Sequence, residues 1–404
     1  MAESTRRPLL FIFLTVLIDT IGFGIIMPVI PRLIMQIAGL DLAGAARMGG
    51  ILLSVFAALQ FLFGPVMGNL SDAYGRRPVL LISLLAFGVN YALMGLAPTL
   101  AWLFVGRAVT GICGAIFGPA NAFVADVTPP EKRAQSFGLI GAAFGLGFVL
   151  GPALGGFLGE LGPRAPFFAA SGLALINFLY GLLVLPESLP RERRRPFVLA
   201  RANPLGTLLA FRGHKRVLGL TLVAFIWQLA FHVYPSTWAY FVIAKFGFTP
   251  AAIGGTLALS GLSMAIVQGF FTGRIVAAWG EARVAPIGIA VGMSAFLAYA
   301  FMNESWMLVP TLVIGGFQGV AMPAINSLMS KQLGPERQGE LQGGIASMMG
   351  LSSIFGPLAL TETMARFSGP DARVQFAGAA FLLAAGLAAL SLFLLITQLE
   401  KRED

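Results

Sequence analysis

Asp19 is the residue in this chain most able to do chemistry. It sits in LLFIFLTVLIDTIGFGIIMPVI, and the ten residues on either side carry no other charge. A carboxylate at the centre of a bilayer costs about 2.5–3.5 kcal/mol on insertion scales, so a chain that keeps one there uses it. A lone carboxyl can bind a proton or a cationic substrate. The structural alternative is an Asp that only hydrogen-bonds a neighbouring helix. Arg107 is the second isolated charge, in Leu103-x3-Arg107-x3-Gly111-x2-Gly114-Ala115. A guanidinium buried in an apolar helix needs partners; one near a helix end can snorkel to the surface instead. Other chemistries are poorly supplied. Cys113 is the single cysteine, and His214 and His232 are the two histidines. No Cys/His spacing fits a metal, and a Ser-His-Asp hydrolase is not indicated. Phosphate-cradling motifs are missing, so ATP is not the expected energy source. We expect no enzyme, no cofactor and no metal.

These residues must be positioned by membrane helices. The chain has 404 residues, is 57% hydrophobic and is 11% charged, against about 25% charged in soluble domains. Its mean hydropathy is +0.83. Apolar stretches of about 20 residues recur from end to end, as in a polytopic membrane protein. They are glycine-rich and lack strand-like alternation, which argues for helices and against a barrel. The predicted class is therefore an all-α membrane protein with twelve spans. Their ranges are 9–35, 47–70, 78–97, 100–126, 134–160, 165–186, 216–243, 250–278, 284–302, 305–332, 339–366 and 372–398. The N-terminal run is too long for a signal peptide and lacks a small-residue cleavage site, so it reads as a retained first span.

The net charge of +9 does not call for nucleic acid, because the basic residues gather in short loops, where they set topology. With both termini inside, the inner side holds 20 Lys and Arg and the outer side 6. That bias predicts cytoplasmic termini in the cytoplasmic (inner) membrane. Segment 187–215 is basic, proline-bearing and too polar to span. It divides the chain into a six-helix bundle at 1–186, a linker at 187–215 and a second bundle at 216–404. A shift of 205 residues aligns GNLSDAYGRRP with GRIVAAWGEAR, Pro130-Glu131 with Pro335-Glu336, Gly138 with Gly343 and Gly151-Pro152 with Gly356-Pro357. One constant offset at four places implies two parallel repeats, with a site at their interface near the midplane.

Two motifs carry further information. After span 2 comes Gly68-Asn-Leu-Ser-Asp72-Ala-Tyr-Gly75-Arg76-Arg77-Pro78. Gly68 and Gly75 permit close helix approach and a tight turn. Asp72 can pair with the arginines and cap a neighbouring helix. Such a cluster can act as a conformational latch. The second copy has Ala277 in place of Asp72, so the latch reads as asymmetric. Span 5 carries Gly138-x8-Gly147-x3-Gly151-Pro152-x2-Gly155-Gly156. Glycines at these spacings let another helix pack backbone to backbone, and Pro152 should bend the helix.

The GxLSDxxGRR loop resembles the signature of the major facilitator superfamily. The span 4 pattern resembles its helix 4 motif, and the span 5 pattern resembles its antiporter motif, which is frequent in drug exporters. Asp19-Thr-Ile-Gly22-Phe-Gly24-x2-Met-Pro28-Val-Ile-Pro31, SDAYGRRPVLLISLL and FGLGFVLGPALGGFLGE followed by Pro166-Phe-Phe are similar to the twelve-helix tetracycline/proton antiporters of that superfamily. The resemblance implies the major facilitator fold, two pseudo-symmetric six-helix bundles and a proton-coupled drug efflux function. It places proton coupling on Asp19 and Arg107, and the transport-critical loop residues on Asp72 and Arg76. It also implies a monomer.

The chain departs from that subfamily at three positions. The acidic residue before the span 3 tyrosine is Asn90 here, span 8 has no histidine, and the span 9 aspartate position falls at or beside Gly292. Those positions serve drug and proton handling in the family, so their change concentrates coupling on Asp19 and leaves tetracycline itself open. Candidate cavity residues are Gln60, Asn90, Asn121, Gln228, His232, Gln268, Gln318 and Asn326, with Glu362 near the outer surface and Phe231 and Phe241 as apolar lining. A polar group in a membrane helix also often just joins two helices. The reading is a proton-coupled exporter of a lipophilic small molecule, with tetracycline and other antibiotics among the candidates. An importer or passive facilitator of the same fold, and a non-transporting receptor or scramblase, are the rivals.

Overall fold

The computed structural model describes residues 3–114, 117–198, 214–370 and 372–400. Every regular element among them is helical. Among the described residues, eleven helices are long and apolar enough to cross a membrane. They become twelve when Leu9–Ile25 and Ile30–Ala38, bent by 52°, are taken as one span. Pro28 and Pro31 explain the bend, since neither has an N–H for the helical ladder. The chain turns there on short bonds, with Met27 N–H donating to Gly24 (3.2 Å) and Val29 N–H to Ile26 (3.2 Å).

Span 4 runs over Leu100–Val127 and is described at Leu100–Cys113 and Phe117–Val127. Three other spans are interrupted midway. Span 7 is Lys215–Phe231 and Val233–Phe246, broken at His232. Pro235 lacks the N–H that would bond to the Phe231 carbonyl. Span 8 runs from Pro250 through a π turn at Val267–Phe271 into Thr272–Trp279. Span 10 passes through a 3-10 segment at Gly316–Val320. Three candidate polar residues, His232, Gln268 and Gln318, sit in these non-α turns, a placement typical of functional helices.

The helix of span 2 reaches further than the sequence indicated. Leu42–Tyr74 is one helix, so Asp72 stands in its last turn and not in a loop. Gly75 alone makes the corner, with φ 107°, and the chain re-enters a helix at Arg76. Gly280, 205 residues on, repeats this conformation with φ 74°, and its ψ of 154° matches the 157° of Gly75. The 3-10 turns Pro130–Lys132 and Pro335–Arg337 stand at the same offset. The repeat read from the sequence is thus also a repeat of backbone conformation.

Two compact units are present. Unit 1 comprises residues 1–38, 55–204 and 250–258; unit 2 comprises 39–54, 205–249 and 259–404. Their border crosses spans 2 and 8, so each unit includes a short stretch of a span from the other half of the sequence. Of the predicted linker at 187–215, residues 199–213 lie outside the described residues. The core of unit 1 is built on Phe11, Phe123 and Phe167; that of unit 2 is an aromatic cluster around Trp227, Trp238, Phe241, Phe296, Tyr299 and Phe381. Phe241 is fully buried against Phe381, which corrects its reading as cavity lining. Phe231 is half-buried beside Trp227 and Tyr234.

Candidate functional site

Within unit 1, Asp19 is half-buried in its helix. No described residue gives it a hydrogen bond or an ion pair. Tyr91, from span 3, lies in electrostatic reach of both Asp19 and Arg107. Its ring lies against Gly22, one turn from Asp19, where a Cβ would meet the hydroxyl at 3.1 Å. Arg107 is 3% exposed; it does not snorkel. Its neighbour Gly106 takes part in a small network. Asn90 Nδ2 donates to the Gly106 carbonyl (2.8 Å) and to Thr110 Oγ1 (2.7 Å), while the Thr110 hydroxyl donates to Gly106 (2.7 Å). Gln60 Nε2 donates to the Gly114 carbonyl (3.1 Å), so spans 2 and 3 both hold span 4 by side-chain amides. Asn121 is exposed, further along span 4.

The glycines of span 5 position the Asp19 helix. Cβ atoms built at Gly147, Gly151 and Gly155 would strike the backbone or Thr20 between Leu17 and Ile25. Gly24 reciprocates: its Cβ would lie 2.8 Å from Pro152 Cδ and 3.2 Å from Gly151 Cα. Gly156 instead faces Pro250 and Gly254 at the start of span 8. Adjacent glycines thus serve two different helices. Gly138, at the other end of the motif, has nothing within 4 Å of its Cβ position, so it is not part of this packing. Arg133–Gly159 remains helical through Pro152.

The loop cluster is richer than its motif. Arg76 pairs with Asp72 (2.5 Å) and Asp126 (3.3 Å) and donates to Ser71 Oγ (3.0 Å). Glu187 Oε1 accepts from the Arg76 backbone N–H (2.9 Å), capping span 3, where a negative charge is favoured. Glu187 also approaches Arg194 (3.7 Å), and Arg77 donates to the Leu182 carbonyl (2.9 Å). Gly75 leaves the room that Glu187 and Arg194 fill. Gly68 meets nothing within 4 Å of its Cβ position, so the close approach expected there is absent. Asp126 and Glu187 were missed in the sequence. They lie 50 and 111 residues from Arg76, and no local pattern links them.

In unit 2 the polar residues of spans 7, 10 and 11 meet. His232 Nδ1 bonds the Gln228 carbonyl (2.7 Å) and Nε2 bonds Ser353 Oγ (3.0 Å). Gln318 Nε2 donates to Tyr234 Oη (2.9 Å), while its Oε1 is buried without a partner among the described residues. That oxygen faces Gly292, whose absent side chain leaves the space taken by the Trp227 ring. Gln228 is buried, and the buried Oδ1 of Asn326 has no partner among the described residues. Gln268 is exposed and bonds only loosely to the Gly319 carbonyl (3.4 Å). Glu362 is held by Arg47 (2.6 Å) and Arg366 (2.8 Å), and Ser54 donates to the Ile354 carbonyl (2.7 Å). These bonds join the start of span 2 to span 11.

Known proteins resemble this chain in sequence and in fold. The model of the Major Facilitator Superfamily matches residues 12–357 and 233–404. The class C tetracycline resistance protein of Escherichia coli is 40% identical over 90% of this chain and 91% of its own length. The class G protein of Vibrio anguillarum is 38% identical over 90% and 92%. Among solved structures, a bacterial homologue of the human lysosomal transporter Spinster superposes with a TM-score of 0.82 at 17% identity, covering 99% of this chain and 98% of the other.

Proposed function

The chain belongs to the major facilitator superfamily, in its tetracycline-efflux branch, and we propose that it exports a lipophilic small molecule in exchange for protons. The observation that carries this reading is Asp19. It is a carboxyl in the middle of a membrane helix, it has no hydrogen-bond or ion-pair partner among the described residues, and Tyr91 lies in electrostatic reach of both it and a buried arginine. A group that exchanges a proton for a substrate must be unpartnered at some stage, because a permanent ion pair would fix its charge. In this reading Asp19 takes a proton from outside and yields it inside when substrate enters. Arg107 supplies the nearby positive charge that favours release. The change is one of location only, so the protein acts as a transporter and not as an enzyme.

The packing of Gly147, Gly151 and Gly155 on Leu17–Ile25 supports coupling between span 5 and the Asp19 helix. Close backbone contact transmits a shift without slack. The Arg76 cluster fits a latch on the cytoplasmic side, with both termini on that side by the distribution of Lys and Arg. We read the protein as a monomer of the inner membrane. The named relatives make tetracyclines the first substrates to try. The replacement of family polar groups by Asn90 and Gly292 makes other lipophilic antibiotics the second set.

The test uses acidified everted vesicles carrying wild type or Asp19→Asn. Each drug is added and the internal pH followed. A drug that releases protons from wild-type vesicles and not from Asp19→Asn supports the reading and names the substrate class. An equal response from both removes Asp19 as the coupling group, and silence of the wild type with every drug contradicts proton-coupled export of these compounds.

A further inference from the structure

Spans 3 and 4 run side by side with a groove of about 200 Å³ between them, lined by residues of these two helices alone. Val89, Leu93, Trp102 and Val105 form its rim and are exposed; Asn90, Met94 and Gly106 form its buried floor. The exposed surface around it is apolar. Ile82, Leu85, Val89, Leu93 and Leu96 recur at helical spacing along span 3, the character of a face that meets lipid. The groove is thus open to molecules dissolved in the bilayer.

Its floor holds one unusual atom. Asn90 is 5% exposed, and its amide orientation is fixed by its partners. The Thr110 hydroxyl spends its hydrogen on the Gly106 carbonyl (2.7 Å), so Thr110 Oγ1 must accept from Asn90. The Gly106 carbonyl can only accept. Both short Asn90 contacts therefore take N–H donors, as does the longer one to Met94 Sδ (3.6 Å), and the nitrogen must point at span 4. The oxygen is left over. Among the described residues it accepts no hydrogen bond, and it lies beside Gly106, whose Cβ position is 3.4 Å away. An unpaired amide oxygen in an apolar setting is costly, and a donor that reaches it recovers that cost.

We propose that this groove binds a small bilayer-dissolved molecule with one hydrogen-bond donor, a phenol or a comparable aromatic N–H compound, through Asn90 Oδ1. The volume is below the roughly 300–1,000 Å³ of drug-sized pockets, so it suits a single ring and not a whole polycyclic antibiotic. The site uses Asn90 and not Asp19, so its occupancy is measured apart from proton exchange at Asp19. It lies against the Asn90–Thr110–Gly106 network next to Arg107, so an occupant touches the helix that carries that charge.

Trp102 on the rim provides the measurement. Purified protein in lipid nanodiscs is titrated with 4-bromophenol, whose bromine quenches a neighbouring indole, and with 4-bromoanisole, which has no donor. The Trp102→Phe protein isolates the Trp102 signal by difference. Saturable quenching of Trp102 by the phenol, roughly tenfold tighter than by the anisole, is expected from one hydrogen bond made out of water. Val109→Phe, or Ala86→Leu from the opposite helix, fills the groove without adding polarity and removes the saturable phase. Equal, non-saturating quenching by both compounds means partition into the bilayer only and overturns the proposal. A saturable phase that survives in a filled variant that elutes as a single folded species overturns it equally.

Discussion

Lys331 donates a 2.7 Å ion pair to Glu281, and these two residues stand 205 positions after Asp126 and Arg76, which form the corresponding pair in the first repeat. The bridge is kept and its polarity is inverted. The sequence showed Ala277 in place of Asp72 and therefore an asymmetric latch. The structure shows that the second repeat keeps an ion pair at the equivalent place, with Ser327 also donating to Glu281 (2.9 Å). The environments differ: Arg76 is largely buried, whereas Lys331 is mostly exposed. We expect Lys331→Gln to change stability by about 1 kcal/mol or less. Arg76→Gln leaves Asp72 and Asp126 without their partner and should cost about 2–3 kcal/mol. Thermal unfolding of the purified proteins in one detergent compares them.

The glycine motif of span 5 predicts a graded response along one helix. Gly151→Ala places a Cβ 2.9 Å from the Ile21 carbonyl oxygen and 3.0 Å from Gly24 Cα, so the two backbones must separate. We expect a loss of about 1–3 kcal/mol from overpacking, together with lost transport. Gly138→Ala meets nothing and should be neutral, or stabilising by up to about 1 kcal/mol through helix propensity. Melting temperature and drug-driven proton release, measured on both proteins, separate the two positions.

Glu362 offers a charge-reversal test at the start of span 2. Arg47→Glu or Glu362→Arg alone sets like charges together. The double reversal restores the Arg47 pair, although Arg366 then faces an arginine. A coupling energy of about 0.5–1 kcal/mol is expected for so exposed a pair, falling as salt is raised. A double-mutant cycle on unfolding at low and at high ionic strength measures it.

Gly292 bears on the missing span 9 carboxylate. Its Cβ position is occupied by the Trp227 ring and lies 3.1 Å from Gln318 Oε1. Gly292→Asp should therefore destabilise by about 1–3 kcal/mol and bring two oxygens together. Gly292→Asp combined with Trp227→Leu should recover part of that loss. Unfolding midpoints of the single and double variants decide it.

Much of this protein was legible in its residues. Apolar runs set the spans, because backbone amides in lipid must be satisfied within each helix. The 205-residue offset disclosed the repeat, and Asp19 stood out because a charge in an apolar run is costly to keep. Gly147, Gly151 and Gly155 pointed to close packing by spacing alone. Tertiary structure decided the rest, since it depends on which side chains meet across long separations. It joined Asp126 and Glu187 to Arg76 and inverted the pair in the second repeat. It chose Leu17–Ile25 as the partner of the glycine stripe and left Gly68 and Gly138 without close neighbours. It also turned the Asn90 nitrogen toward Thr110, leaving its oxygen at the floor of a groove. Composition and spacing report what one helix prefers; the direction of a single amide is fixed only by the donors and acceptors that surround it.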